Sequence, residues 1–304
     1  MRVHHTAAGG PDRPFASGSL DVGAPGALNV ASPPDSPRRF PASWPAAEET
    51  WRTKPAELLR PQRLLRDVAS AAQRRDAPAG LGLDSDAVRL RMIERLRRSG
   101  VALEPVVLEA MSRVPRHLFV DSALAIQAYE DTSLPIGHGQ TISKPTVVAR
   151  MISLLLQSPS ASAERPMPPL RHVLEIGTGC GYQAAVLCLL ARRVTSIERI
   201  RPLHERAREH LRALSLDQAR LLFGDGRLGH APSAPYDAII AAAGGGDIPP
   251  LWLDQLAVGG RLVAPMHSEH HGGQVLVVVD RDEAGWHRSM HDGVHFVPLE
   301  SGTL

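Results

Sequence analysis

The stretch from residue 172 to residue 183 reads HVLEIGTGCGYQ, and it joins an apolar run to three alternating glycines. A second apolar run, Ala184–Leu190, follows directly. This order predicts a buried strand, a tight turn and a helix. Glycines in such a turn tolerate positive φ and let a ligand approach the bare backbone. A helix that starts near Gly181 also offers free N–H groups to a polar ligand. The stretch therefore predicts a ligand-binding loop at the end of a buried strand.

From this stretch onward, apolar runs alternate with helical patterns, which is typical of a parallel α/β sheet. The predicted strands are His172–Ile176, Val194–Glu198, Arg220–Phe223, Tyr236–Ala241 and Gly260–Pro265, and the predicted helices lie near Tyr182–Leu190, Pro202–Leu214 and Pro250–Leu256. Two further runs, Gln274–Asp280 and Trp286–Met290, flank a turn and predict an antiparallel hairpin. The predicted fold class is thus α/β, a Rossmann-like doubly wound sheet that is mostly parallel, with antiparallel C-terminal strands.

The chain divides into an extension and one folded domain. Residues 1–80 hold eleven of the 26 prolines, mixed with Gly, Ala, Ser and Arg, and such a segment does not bury enough apolar surface to offset its ordering entropy. We expect it to be largely disordered. The domain is predicted to span residues 84–304, with a helical part at 84–157, a core at 170–266 and antiparallel strands at 267–304.

The helical part contains three predicted helices and an intervening loop. The helices are Ala87–Ser99, Glu104–Met111 and Thr146–Leu156, and the loop includes Tyr129–Ile136. Ser143 lies near the N-cap of the third helix and Pro145 near its first position, where these residue types are favoured.

The composition of the 304 residues is that of an ordinary soluble globular protein, with 43% hydrophobic and 22% charged residues. A net charge of +2 predicts no dedicated surface for nucleic acid or membrane. No apolar run reaches the roughly 18 residues of a membrane span, and no signal-peptide core is visible. Two cysteines, Cys180 and Cys188, form no disulfide framework, so we expect a reducing compartment, the cytoplasm. His267, His270 and His271 lack a fourth ligand, and no metal site is predicted.

Acidic residues follow the next two predicted strands. Glu198 ends the second strand, 17 residues after Gly181, where a carboxylate can accept hydrogen bonds from both hydroxyls of a ribose. Asp225 and Gly226 follow the third strand, although an Asp-Gly pair is also a common turn. With the glycine loop, these residues lie at the C-terminal ends of consecutive strands, where open α/β sheets bind ligands.

The glycine spacing separates two classes of cofactor. It is G-x-G-x-G and differs from the G-x-G-x-x-G expected for dinucleotides, which disfavours a nicotinamide-dependent oxidoreductase. With Glu175 two residues before the first glycine, it resembles motif I of the S-adenosylmethionine-dependent methyltransferases. That resemblance implies that the loop packs against the methionine and ribose parts of the cofactor, and that Asp225 meets the adenine amino group.

Four separated motifs resemble those of one methyltransferase family, the protein-L-isoaspartate(D-aspartate) O-methyltransferases. They are Val114-Pro115-Arg116-x-x-Phe119-Val120, Gly137-x-Gly139-Gln140-Thr141-Ile142-Ser143-x-Pro145, Gly224-Asp225-Gly226 and Phe296-Val297-Pro298-Leu299. The resemblance covers Asp86–Leu299. It implies that S-adenosyl-L-methionine binds at Ile142, Ser143, Glu175, Gly177, Thr178, Gly179, Gly181, Glu198, Arg199, Asp225 and Gly226.

The family's reaction would transfer a methyl group to the free α-carboxylate of an L-isoaspartyl residue in a damaged protein or peptide. The products are a methyl ester and S-adenosylhomocysteine, and a monomer is expected. Because a carboxylate is already ionised at neutral pH, the reaction needs alignment more than a general base. Ser143 resembles the family's active-site serine. We hypothesise that its hydroxyl positions the substrate carboxylate or the sulfonium region; the competing interpretation is that Ser143 only caps its helix.

One departure from the family pattern keeps other functions open. The loop after the fourth predicted strand contains the triplet Gly244–Gly246, where relatives usually carry Ala-Ala-Pro, and a flexible loop there would weaken substrate binding. The alternatives are a same-fold methyltransferase acting on another carboxylate or a small molecule, and a non-catalytic module that binds altered peptides.

Overall fold

The computed structural model describes residues 85–158 and 168–304. The extension predicted at residues 1–80 lies outside the described residues, as does most of the Pro/Ser-rich connector that precedes residue 168.

In the part of the chain that the structure describes, nine strands form two sheets. In chain order they are β1 (Leu134–Gly137), β2 (Gln140–Ile142), β3 (Leu170–Ile176), β4 (Ala191–Glu198), β5 (Ala219–Phe223), β6 (Tyr236–Ala241), β7 (Leu256–Ser268), β8 (Gly273–Arg281) and β9 (Trp286–Val294). The main sheet has the order β5-β4-β3-β6-β7-β8-β9, and β1 pairs with β2 in a separate hairpin.

The main sheet is parallel from β5 through β7, and β8 and β9 are antiparallel. This arrangement confirms the predicted fold class. The central strands β3, β4 and β6 are buried over most of their length, as expected of parallel strands covered on both faces. The chain runs outward from β3 to β4 and β5, and then returns to place β6 on the other side of β3. Ligands of open α/β sheets bind at this reversal of strand order.

Within the described residues, six α-helices flank the sheets. They are α1 (Ser85–Arg98), α2 (Pro105–Arg113), α3 (Pro145–Leu156), α4 (Tyr182–Cys188), α5 (Arg201–Ala213) and α6 (Pro250–Gln255). In α2, α3, α5 and α6 a proline occupies the first turn, where its missing N–H costs nothing. The helix α3 is apolar over most of its length and packs against β6 and β7. Within the two described ranges, no helix combines the length and the apolar character needed to cross a bilayer.

The predicted elements are confirmed with shifted ends, and the two strands of one hairpin were missed. The strand β7 extends well beyond the predicted Gly260–Pro265, and α4 ends at Cys188 because the chain enters β4 only three residues later. The loop predicted at Tyr129–Ile136 was wrong from Leu134 onward, because β1 begins at that residue. Gly137, His138 and Gly139 all have positive φ, and this tight turn returns the chain as β2.

Candidate active site

A cavity of about 860 Å³, open mouth included, lies at the carboxyl ends of β3 and β4. Most of its walls come from five parts of the chain, and Val148 and Gly226 add to them. The five parts are residues 136–143, the glycine loop with its flanks at 176–183, residues 197–200, Ala242 with Ala243, and residues 297–300. Isoleucines supply much of the apolar lining, at positions 136, 142, 176, 197 and 200. The cavity therefore combines an apolar slot with backbone and carboxylate groups, which suits a ligand with an aromatic base and a sugar.

Most of the predicted cofactor residues meet at this cavity. Those that line it are Ile142, Ser143, Gly177, Thr178, Gly179, Glu198, Arg199 and Gly226. Glu175, Gly181 and Asp225 do not line it, and each has a supporting position instead.

The glycine loop has the backbone that its sequence predicts. Gly177, Gly179 and Gly181 have φ values of 88°, 56° and 91°. A Cβ on Gly179 would lie 3.2 Å from the Cδ1 atom of Ile136 across the cavity wall, and a Cβ on Gly181 would lie 3.3 Å from the Cβ of Ala207. Gly181 therefore permits the close approach of α4 and α5, and Gly179 keeps the cavity wall narrow.

Glu198 fixes the glycine loop to the end of β4. Its side chain is only 5% exposed; Oε2 accepts a hydrogen bond from the Gly179 N–H at 2.8 Å, and Oε1 accepts one from the Ile200 N–H at 2.8 Å. A carboxylate has about four acceptor positions. Two positions therefore remain for donors of a bound ligand, such as the two hydroxyls of a ribose.

Glu175 supports the loop from beneath. Its carboxyl group is fully buried, the Ser196 hydroxyl donates to its Oε2, and its Oε1 has no hydrogen-bond partner among the described residues. The Ser196 hydroxyl also lies 2.6 Å from that of Thr178 in the loop. Burial raises the pKa of Glu175 to about 8, although the hydrogen bond from Ser196 acts to lower this pKa. The side chain is thus a neutral acid at neutral pH.

Residues 297–304, which we call the C-terminal strap, form one side of the cavity mouth. The Arg199 guanidinium donates to the Gly302 carbonyl at 3.0 Å, to the Ser301 carbonyl at 3.2 Å and to the Glu300 carboxylate at 2.7 Å. The Leu304 N–H donates to the Arg199 carbonyl at 2.7 Å. Arg199 therefore holds the strap, and only part of it faces the cavity.

Asp225 is engaged by the same strap. Its Oδ2 accepts from the Gly302 N–H at 2.7 Å, and its Oδ1 accepts from the Arg227 N–H at 2.8 Å. No residue of the strap was predicted to belong to the site. Pro298, Leu299 and Glu300 line the cavity, and the motif at Phe296–Leu299 was the available signal.

The glycine triplet is held in place by the same region. The Gly244 N–H donates to the Val297 carbonyl at 2.8 Å, and the Leu299 N–H donates to the Gly244 carbonyl at 2.7 Å. A Cβ on Gly244 would lie 2.3 Å from Nε2 of Gln274, so a larger residue does not fit without movement. The triplet therefore allows a close approach of the backbone to Gln274, and the reduced affinity expected from a loose loop has no support here.

Ser143 lies half-buried on the cavity wall, just before α3. The N-cap of α3 is Lys144, and no side chain caps the helix, so the interpretation of Ser143 as a helix cap is wrong. The Ser143 carbonyl accepts a hydrogen bond from the buried guanidinium of Arg116 at 2.8 Å. Among the described residues no three His, Cys, Asp or Glu side chains converge to hold a metal ion.

Comparison with known proteins gives a consistent result. The model of the protein-L-isoaspartate(D-aspartate) O-methyltransferase family matches residues 88–304. A protein-L-isoaspartate O-methyltransferase from Methylibium petroleiphilum is 60% identical over 266 residues, which are 87% of this chain and 96% of that protein. The enzyme of the same name from Leptothrix cholodnii is 64% identical over 80% of this chain and 84% of its own.

Solved structures show the same fold. A protein-L-isoaspartate O-methyltransferase with 25% identity superposes with a TM-score of 0.60, over 70% of this chain and 66% of that one. A structure from Plasmodium falciparum, assigned to the same activity and solved with S-adenosyl-L-homocysteine, has 22% identity and a TM-score of 0.58 over 70% of this chain and 98% of its own. By its motifs, its fold and the match over residues 88–304, this chain belongs to the protein-L-isoaspartate(D-aspartate) O-methyltransferase family.

Proposed function

We infer that this protein is a repair methyltransferase that transfers a methyl group from S-adenosyl-L-methionine to the free carboxylate of L-isoaspartyl residues. The products are the methyl ester and S-adenosylhomocysteine. One observation carries the proposal: a single cavity joins the glycine loop and Glu198 to the signature hairpin that ends at Ser143. A cofactor site and a candidate acceptor site therefore share one space, as a direct transfer requires.

The cavity fits the proposed co-substrate. The spare acceptor positions of Glu198 suit ribose hydroxyls, and the narrow wall at Gly177 and Gly179 suits close contact with the backbone. Ile197 and Ile200 offer apolar surface for the adenine ring. We propose that Glu175 and Gly181 act through the loop, and that Arg199 and Asp225 act through the C-terminal strap. When bound, S-adenosyl-L-methionine supplies a methyl group made electrophilic by its sulfonium.

The protein's own contribution is alignment. The acceptor carboxylate is ionised at neutral pH, so its oxygen attacks without loss of a proton. The chain must hold that oxygen in line with the methyl carbon and the sulfur, and must exclude water from the narrow cavity. We propose that the Ser143 hydroxyl donates a hydrogen bond to the acceptor carboxylate, because the hydroxyl makes no hydrogen bond within the described part of the chain and the residue lines the cavity.

The substrates proposed are proteins and peptides that contain isoaspartyl residues, and the chain is proposed to act as a monomer in the cytoplasm. The near-neutral net charge of +2 supports partners other than nucleic acid or a membrane surface. Size-exclusion chromatography with light scattering would test the monomer directly.

The decisive experiment measures transfer of radiolabelled methyl from S-adenosyl-L-methionine to a synthetic isoaspartyl peptide, with the normal aspartyl peptide as the control. We expect base-labile label on the isoaspartyl peptide alone. Label on neither peptide, together with intact binding of S-adenosylhomocysteine, would direct the search to a different acceptor.

Replacing Ser143 tests the catalytic assignment. Ser143→Ala should lower kcat about 10- to 100-fold through loss of one aligned hydrogen bond, while the thermal midpoint shifts by no more than about 2 °C. Ser289→Ala, on the exposed strand β9, is the control and should keep full activity. A Ser143→Ala enzyme with unchanged kcat would remove Ser143 from the mechanism.

A further inference from the structure

Arg116 carries a buried positive charge that no acidic side chain of the described residues contacts. The residue is fully buried; its Nε donates to the Ala128 carbonyl at 2.7 Å and its Nη2 to the Ser143 carbonyl at 2.8 Å. Its Nη1 has no hydrogen-bond partner among the described residues. Buried charges in proteins are normally paired with an opposite charge, so this arrangement calls for an anion from elsewhere.

The guanidinium lies directly behind the cavity wall. Its Cζ atom is 4.7 Å from the centroid of the Tyr182 ring, and both Tyr182 and Ser143 line the cavity. Among the described residues, the acidic side chain whose charge acts on Arg116 is that of Asp131. That residue is exposed, and its Oδ1 accepts a hydrogen bond from the Thr146 N–H at 2.8 Å. The exposed carboxylate of Asp131 therefore compensates the charge of Arg116 only weakly. One layer of side chains, which includes Tyr182, separates the guanidinium from the cavity.

Arg261 shows what a structural arginine looks like in the same fold. It is buried to a similar degree, but it makes a two-point ion pair with Asp280 at 2.6 and 2.8 Å and donates to the Leu154 carbonyl at 2.9 Å. Arg116 lacks such a carboxylate among the described residues, and its guanidinium lies against the Tyr182 ring and two backbone carbonyls instead. This contrast indicates that the missing anion belongs to the function of the cavity and not to the fold.

We propose that Arg116 is a positioning residue that orients Ser143 and supplies the counter-charge for the substrate's carboxylate. The inference rests on the proposed function, which places an ionised carboxylate beside Ser143. Because few side chains and little water separate the two charges, their attraction is screened less than it would be at the surface. The guanidinium fixes Ser143 through its carbonyl, so it acts on the substrate without touching it.

The test compares two peptides that differ only in charge. One carries the free isoaspartyl α-carboxylate, and the other carries a neutral carboxamide at the same position. Their dissociation constants are measured in the presence of S-adenosylhomocysteine, so that no turnover occurs. Binding of S-adenosylhomocysteine alone serves as the folding control for every variant.

Arg116→Gln keeps amide donors but removes the charge. We expect it to reduce the preference for the carboxylate over the carboxamide about tenfold, equivalent to about 1.4 kcal/mol, while carboxamide binding changes less than threefold. Arg116→Lys keeps the charge and should retain most of the preference. Arg261→Gln is the matched control, and it should lower stability without changing the ratio of the two affinities.

A structural role for Arg116 would lower both affinities by the same factor and leave the ratio unchanged, which would overturn the proposal. A second measurement needs no variant: the preference of the wild-type protein should persist at 1 M salt, where charges at the surface are screened within about 3 Å. Loss of the preference at high salt, or in Lys144→Gln alone, would assign the counter-charge to the exposed Lys144. Failure of the proposed function would appear differently, as no methyl transfer by the wild-type protein.

Discussion

The buried carboxyl group of Glu175 makes the free energy of unfolding depend on pH. Burial raises its pKa to about 8, above an ordinary value of 4.5, so the folded chain holds a proton that the unfolded chain releases. The stabilising effect of that proton is complete below about pH 4.5 and is lost as the pH rises to 8. We expect this group to lower the free energy of unfolding by up to about 1.4 kcal/mol per pH unit across that window. Glu175→Gln should remove this slope, as measured by urea unfolding between pH 5 and pH 8.

The control for this prediction is Glu94→Gln on the exposed face of α1, which should keep the slope of the wild-type protein. Parallel stability curves for Glu175→Gln and wild type would contradict the prediction.

The sequence identified Glu175 through its place before the glycines, but it did not reveal the role of this residue. A carboxyl group two residues from a loop can face a ligand or support the loop, and only the packing of Ser196 and Thr178 against it distinguishes the two.

At the scale of elements, one side chain makes several of the contacts that hold the C-terminal strap. The Arg199 guanidinium makes three of the contacts that hold residues 300–302. Arg199→Ala should free this part of the strap and weaken binding of S-adenosylhomocysteine about tenfold by calorimetry, equivalent to about 1.4 kcal/mol. The thermal midpoint should fall by only a few degrees, because the residues released are largely exposed.

Arg201→Ala provides the matched control. Its guanidinium lies over the Phe223 ring at 4.0 Å, and its contact with the strap is made by the backbone N–H. Equal loss of affinity in both variants would show that the positive charge near the cavity mouth affects binding and that the strap does not.

The predicted strands and helices were mostly confirmed because their periodicity is local. The strap was missed because its partners Arg199 and Asp225 lie about 100 and 77 residues away in the sequence.

At the scale of the whole molecule, the described residues that line the cavity all lie between positions 136 and 300, and the family match begins at residue 88. We therefore propose that a chain beginning at Asp84 keeps methyl transfer to an isoaspartyl peptide within about threefold of the full chain in kcat/KM, since ΔΔG‡ should be below about 0.7 kcal/mol. A tenfold loss with intact circular dichroism would assign the first 80 residues a part in substrate binding.

The sheet topology was predictable from alternating strands and helices, and the ends of three strands indicated the predicted cofactor residues. The positive φ values at Gly137 and His138, which create the hairpin before Ser143, could not be predicted from the sequence. A histidine seldom adopts that conformation, so the local pattern argued for a loop. The sequence identified Arg116 only as part of a family motif, because the lack of a counter-charge among the described residues is visible only in the three-dimensional packing.

The position of the strap has a consequence for biosynthesis. The first wall of the cavity, at residues 136–143, leaves the ribosome long before residues 297–300, which form the last wall. A nascent chain can form the glycine loop and the strands around it, yet it cannot complete the cavity until residues 297–300 have been made and have folded back onto it. We therefore expect a chain that stops short of these residues to carry a folded domain with an incomplete site.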